Sequence, residues 1–240
     1  MIIGFLSLPG AITLIMRSLA RNTAQKEHLS SIIEYTYLSP KLSETELLTH
    51  FDEAKSLKVF GICIPLAWVP LAKKELEETN IKVVTVVDFP LGIKSPSEKA
   101  LETKAAFIFG ADEIDMVVNY QAIIDKKYDL ALAGISAVLK EAKEKIVKVI
   151  IETSALSKEQ IAIACALVAL AHAPFIKTST GFHKGGANIA DIKLIRSLLP
   201  EGISIKASGG IRNFDTALAM WQAGAVRIGT SKAKEILEKK

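Results

Sequence analysis

Cysteine is nearly absent from this chain of 240 residues: there are two, Cys63 and Cys165, far apart and in no C-x-x-C. That excludes a disulfide framework and a thioredoxin-like redox motif, and it reads as reduced, buried thiols of a cytoplasmic protein. Histidine is also scarce, with four residues. His28, His50, His172 and His183 share no metal-ligand spacing, so no metal site is expected. Aromatic residues make up 6%, the net charge is only +4, and no dense Lys/Arg cluster interleaves with aromatics, which leaves nucleic-acid binding without support. No G-x-G-x-x-G follows the first predicted strand, so the dinucleotide fingerprint is missing. The apolar run from Met1 to Met16 has no positive charge ahead of it, contains Pro9-Gly10 and is shorter than a membrane span. It is expected to belong to a helical leader, residues 1–30, packed on the body of the protein or on a partner subunit. Ile161 to Ile176 is also uncharged and short, and it reads as a buried helix running into a strand.

What is present is a repeating alternation. Half of the residues are hydrophobic, enough for one large domain with a substantial core. Ser31 to Leu38 reads as a strand stopped by Pro40. Ser43-Glu-Thr-Glu46 is a capping box ahead of a helix to about Leu57. Strands are predicted at Lys58–Ile64, Ile81–Val87, Asp112–Val118, Lys145–Ile151, Phe175–Lys177, Ile203–Lys206 and Ala225–Ile228. Helices are predicted between them, at Leu66–Thr79, Ser97–Phe109, Asp129–Glu144, Ser157–Ala171, Ile189–Leu199 and Asn213–Ala223, and a last one at Ser231–Glu238. The strands are apolar nearly throughout, as in a parallel sheet covered on both faces. Eight such units in this length point to a single α/β domain, a (β/α)8 TIM barrel over residues 31–240. A doubly wound open sheet is the alternative; the eighth unit and the missing fingerprint argue against it.

Three of these strands carry charge where burial makes charge costly. Lys177 ends the sixth strand, Lys206 ends the seventh, and Asp115 lies on the fourth. Strand C-termini of such a barrel meet at one mouth, where active sites sit. Two ammonium groups held close together and partly desolvated cannot both stay charged easily, and the one that loses its proton is a nucleophilic amine able to form a Schiff base with a carbonyl. Asp115 is placed to move protons, directly or through water. Lys148, on the fifth strand, is a further inward-facing candidate that could pair with Asp115 or reach the substrate. The bland alternative is a structural charge network in the barrel core. Glycine-rich turns lie beside these strands: Thr180-Gly181, Ser208-Gly-Gly210 and Gly229-Thr-Ser231. Turns after the last two strands of a barrel, with the helix N-terminus that follows, commonly bind phosphate.

Ile176-Lys-Thr-Ser-Thr-Gly-Phe182, Ile205-Lys-Ala-Ser-Gly-Gly-Ile-Arg212 and Glu113-Ile-Asp-Met-Val-Val-Asn119, together with Val149-Ile-Ile-Glu-Thr153 and Asp88-Phe-Pro-Leu-Gly92, resemble the signature segments of the deoxyribose-phosphate aldolase family, in order, over about Ile32 to Ile236. The resemblance implies a class I aldolase without cofactor that reversibly splits 2-deoxy-D-ribose 5-phosphate into acetaldehyde and D-glyceraldehyde 3-phosphate, a step of deoxyribonucleotide breakdown. It implies Lys177 as the Schiff-base lysine, Lys206 as the group that lowers its pKa, and Asp115 as proton donor and acceptor. Gly181, Gly209, Gly210, Gly229 and Ser231 would hold the phosphate, and Thr36, Cys63 and Thr180 would line the pocket. A homodimer or homotetramer is implied as well. The chain departs from the pattern at three places. Glu34-Tyr35-Thr36 stands where the family commonly has Asp-His-Thr. Phe182 follows the Thr-Gly turn where some members have a lysine, which leaves His183 or Lys184 to take its place. The sequence ends Glu-Lys-Lys, without the tyrosine of some members, so proton transfer is expected to lean on Asp115 and water. Two other readings stay open at this point: a Schiff-base lyase or isomerase for another sugar phosphate, and a barrel that only binds a phosphorylated ligand.

Overall fold

The structure is a computed structural model, and it describes residue 20 and residues 22–238. Helix α1 (residues 22–32) leads directly into β1 (Ile33–Thr36). The alternation then runs α2 (Glu44–Leu57), β2 (Gly61–Cys63), α3 (Val69–Glu75), β3 (Lys82–Val87), α4 (Pro96–Ile108) and β4 (Glu113–Val117). It continues through α5 (Tyr120–Ile124), α6 (Tyr128–Ala142), β5 (Ile146–Ile150), α7 (Lys158–Leu170), β6 (Phe175–Lys177), α8 (Ile189–Leu198), β7 (Ser204–Ser208), α9 (Phe214–Gln222), β8 (Arg227–Thr230) and α10 (Ala233–Glu238). The eight strands are parallel and close into a barrel in sequence order, β1 pairing with both β2 and β8. This is the (β/α)8 barrel expected from the alternation.

Local chemistry sets the helix starts. Ser43 and Ser157 close capping boxes with Glu46 and Gln160, as their spacing predicts, and Ser95 does the same with Glu98 ahead of α4, two residues before the predicted start at Ser97. Strand alternation sets the two cores. Ile114, Met116, Val147, Val149, Ile176, Ile205 and Ile228 belong to the apolar shell between strands and helices. The intervening positions face the barrel interior, and there the usual apolar layers give way to buried charge: Glu34, Glu113, Asp115, Lys148, Lys206 and Arg227.

Several predicted boundaries move. The first strand begins two residues later than Ser31, because the chain there is still helical. The strand predicted at Ala225–Ile228 is Arg227–Thr230, so Gly229 lies inside β8 rather than in the turn beyond it. Helix α5 was not anticipated; Asn119 caps it by accepting from the Ala122 N–H. Of the leader, Met1 to Met16 lies outside the described residues. Helix α1 spans the boundary placed at residue 30, with Leu29 buried, His28 against the Trp221 ring and Ser30 Oγ donating to the Leu57 and Lys58 carbonyls. Among the described residues no helix is long and apolar enough to cross a membrane.

The mouth of the barrel is braced by a buried ion pair. Lys99 on α4 lies 2.7 Å from Oδ2 of Asp88 and donates to the carbonyls of Gly92 (3.2 Å) and Val117 (2.6 Å), tying the β3–α4 loop to the end of β4. Lys99→Met should therefore strand the Asp88 carboxylate and cost about 3–5 kcal/mol, read as a lower urea midpoint, with Asp88→Asn in the same chain restoring part of it. A loss below about 1 kcal/mol would show that water compensates the pair fully.

Candidate active site

Parallel register delivers the charged side chains to one level. Asp115 stands opposite Lys148, Lys177 opposite Lys206, and Lys206 opposite Arg227. Asp115 is the centre. Its Oδ2 accepts from Lys177 (2.8 Å) and from Lys206 (2.6 Å), and its Oδ1 from Lys148 (3.1 Å). Beneath it, Glu34 pairs with Lys206 and lies 3.3 Å from Lys148, and Glu113 lies 2.6 Å from Lys148. Arg227 closes the lower end, stacked on the Phe60 ring at 3.2 Å, with its Nη1 3.5 Å from Glu34 and 3.8 Å from Glu113, beyond good hydrogen-bond length. All of these groups are buried or nearly so.

Burial alone would raise the pKa of Asp115, but Lys148, Lys177 and Lys206 together overcome it and hold the carboxyl well below the usual carboxylate range. Glu34 is lowered in the same way: burial opposes ionisation, and Lys148 and Lys206 outweigh it. Burial pulls the pKa of Lys206 down, but Asp115 and Glu34 raise it above the ordinary lysine value, and Lys148 is raised further by Asp115, Glu34 and Glu113 acting against its own burial. The Cys63 thiol is pushed up to about 11, by burial first and Asp115 second, so it adds no charge at neutral pH. The two lysines singled out in the sequence thus do not face each other bare. A carboxylate oxygen lies between them.

Above this layer a cavity of about 340 Å3 opens to the barrel mouth, with Lys177 on its floor. Thr36, Thr180, Gly181, Gly209, Gly210, Gly229 and Ser231 line it, with Phe182, Ser208 and Arg212. Thr178 and Ser208 knit β6 to β7: the Thr178 hydroxyl donates to the Ser208 carbonyl and accepts the Ser208 N–H. Gly209 and Gly210 follow with φ of +93° and +76°, a turn that side chains other than glycine's resist. Gly229 has a second task, since a Cβ there would lie 2.1 Å from Ser208 Oγ and 3.0 Å from Cε of Lys206, displacing the serine hydroxyl and pressing on the lysine.

Two expected pocket residues lie elsewhere. Cys63 and Lys148 are fully buried and do not line this cavity; register sets Lys148 two residues below the level of Lys177. Lys148 does make its expected pair with Asp115. His183 is turned away from the cavity to Tyr120, whose hydroxyl lies 2.9 Å from Nε2, and neither His183 nor Lys184 lines the cavity. The guanidinium that does is Arg212, part of the glycine-turn motif but given no role from sequence. Glu113 and Arg227 were also missed. Their clue was the period of two from Asp115 and from Gly229, which places them on the interior face. Glu34 was noticed only as a departure from a pattern.

Comparison with known proteins gives a consistent result. The sequence model described as DeoC/LacD family aldolase matches residues 41–239. The deoxyribose-phosphate aldolase of Enterococcus faecalis is 44% identical over 210 residues, 87% of this chain and 96% of that protein. That of Clostridium tetani is 44% identical over 211 residues, 88% of this chain and 98% of that protein. The tetrameric deoxyribose phosphate aldolase of Aeropyrum pernix superposes with a TM-score of 0.82 at 29% identity, covering 92% of this chain and 95% of that one.

The charge layer makes stability depend on pH in a defined direction. Glu34 and Asp115 have folded-state pKa values below their unfolded ones, so the stability they add is present above the unfolded values and is lost as pH falls through the folded ones. Lys148 and Lys206 have raised values, so theirs is present below the unfolded lysine value and is lost as pH rises through the folded ones. Urea titrations should show a plateau through neutrality, with stability falling below about pH 4 and above about pH 10. Glu34→Gln should flatten the acid limb. A gain in stability on acidification from about pH 5 to 3 would contradict this arrangement.

Proposed function

The chain belongs to the DeoC/LacD family of aldolases, and from that premise we propose that it is a deoxyribose-phosphate aldolase of the Schiff-base class, reversibly cleaving 2-deoxy-D-ribose 5-phosphate to acetaldehyde and D-glyceraldehyde 3-phosphate. The observation that carries this reading is the position of Lys177, alone among the network's cations in facing the cavity while its Nζ touches Asp115. Arg227, Lys148, Lys177 and Lys206 set four cations against the three carboxylates of Glu34, Glu113 and Asp115. In a sealed, low-dielectric layer one surplus charge is costly, and releasing one proton removes it. An arginine does not give it up. Lys148 is held by three carboxylates and Lys206 by two, whereas Lys177 has one, which it shares. Lys177 is therefore the least compensated of these cations and the one within reach of a substrate carbonyl.

The chemistry follows from that placement. The Lys177 amine attacks C1 of the open-chain sugar phosphate, and loss of water from the carbinolamine gives an iminium. The C3 hydroxyl gives up its proton, the C2–C3 bond breaks, and its electron pair passes into the iminium to leave an enamine. Glyceraldehyde 3-phosphate departs. Protonation of the enamine at C2 and hydrolysis of the imine release acetaldehyde and regenerate the amine. Asp115, in contact with the reacting nitrogen, serves as proton acceptor and donor through water, and Lys206 keeps positive charge beside the nitrogen at every stage. The turns at Gly181, Gly209–Gly210 and Ser231, with Arg212, form the end of the cavity suited to the phosphate. The tetrameric relative supports assembly into a homo-oligomer.

Borohydride reduction in the presence of acetaldehyde should fix a two-carbon adduct on Lys177, located by peptide mass mapping. Lys177→Leu should lose both adduct and turnover, Lys206→Leu should lose nearly all turnover, and a chelator should change neither. Normal turnover in Lys177→Leu would sink the assignment. An adduct without cleavage of deoxyribose 5-phosphate would move the reading to another sugar phosphate.

A further inference from the structure

Two residues beyond the end of β5, Glu152 is fully buried and holds a left-handed backbone, φ +54° and ψ +64°. That conformation is uncommon for a glutamate and persists only where the surroundings impose it. Its carboxylate is held, among the described residues, by hydroxyl and amide donors and not by a cation. Oε2 accepts from the Thr180 N–H (3.0 Å) and the Thr180 hydroxyl (2.6 Å), and Oε1 accepts from the Ser154 hydroxyl (3.1 Å). The Thr180 oxygen in turn accepts the Phe182 N–H at 3.1 Å. Every residue of this turn, Thr180, Gly181 and Phe182, lines the cavity, and Glu152 does not. On its far side the same loop rests on the phosphate-side turn: Ala187 N–H donates to the carbonyls of Ser208 (3.2 Å) and Gly209 (3.0 Å), and a Cβ on Gly186 would lie 2.4 Å from the Gly209 oxygen. The loop is thus pinned at two points, Glu152 and Gly209, with the cavity wall between them.

We propose that Glu152 is a positioning residue for the acceptor half of the site: it fixes the Thr180–Gly181 turn that holds the hydroxyaldehyde phosphate portion of the substrate, and it takes no part in the amine chemistry at Lys177. One consequence is a specificity rule. The Thr180 hydroxyl hydrogen is committed to Glu152, so toward the substrate this oxygen can only accept, which suits a substrate hydroxyl and disfavours an acceptor-only group. The proposal rests on the aldolase reading. The test separates the two by measuring sugar-phosphate cleavage and acetaldehyde trapping on the same proteins.

Glu152→Ala should raise KM for 2-deoxyribose 5-phosphate by on the order of tenfold or more, as three donors lose their acceptor, while the rate of borohydride-trapped acetaldehyde adduct at Lys177 stays at the wild-type level. Glu152→Gln keeps an acceptor oxygen for Thr180 and should return KM to within about twofold of wild type. If the alanine variant does not fold, Glu152→Asp shortens the reach to Thr180 by one methylene and should raise KM in the same direction with trapping intact. An unchanged KM in Glu152→Ala, a loss of trapping in step with cleavage, or a glutamine variant as impaired as the alanine one would each overturn the proposal. A wild-type chain that traps nothing would overturn the aldolase reading itself and this proposal with it.

Discussion

One carboxylate oxygen, Oδ2 of Asp115, accepts hydrogen bonds from two lysines on neighbouring strands. The rest of the site follows from that shared contact. It brings Lys177 and Lys206 together without letting them repel freely, and it leaves them unequal. Lys206 has Glu34 as a second partner in the sealed interior. Lys177 has only the shared oxygen and an open face toward the cavity. The outer lysine is thus the less well compensated of the two, and it stays in the field of a neighbouring cation.

The fold serves this contact by register. A parallel closed sheet in which Asp115 is opposite Lys148, and Lys177 opposite Lys206, fixes which groups share a level. Gly229 contributes by what it lacks, since any side chain there would collide with Ser208 Oγ and crowd Lys206. The price in stability is a barrel interior holding seven ionisable groups in ion-pair contact instead of apolar layers. Buried pairs of this kind add little over an apolar core, yet breaking one costs several kcal/mol, so the network resists piecemeal change.

The alternation of elements was readable because each strand is a short apolar run bounded by turn residues, and because serine caps mark helix starts at Ser43 and Ser157. The two lysines stood out for the opposite reason: an ammonium on such a run contradicts its neighbours. Glu113 and Arg227 did not stand out, since a charged residue near a strand end resembles a solvated loop until the barrel closes around it. Lys148 is inward-facing as its strand position implies, but its depth is fixed by register with β6, which the segment alone does not carry. Arg212 lies beyond a glycine turn whose direction depends on two positive φ angles, so its reach into the cavity was not visible in the linear order.

The structure of the acetaldehyde adduct trapped by reduction tests the shared contact most directly. The account predicts a two-carbon group on Nζ of Lys177, lying in the cavity, with Nζ of Lys206 still against Oδ2 of Asp115. An adduct on Lys206, or a Lys206 drawn away from Asp115, would contradict it.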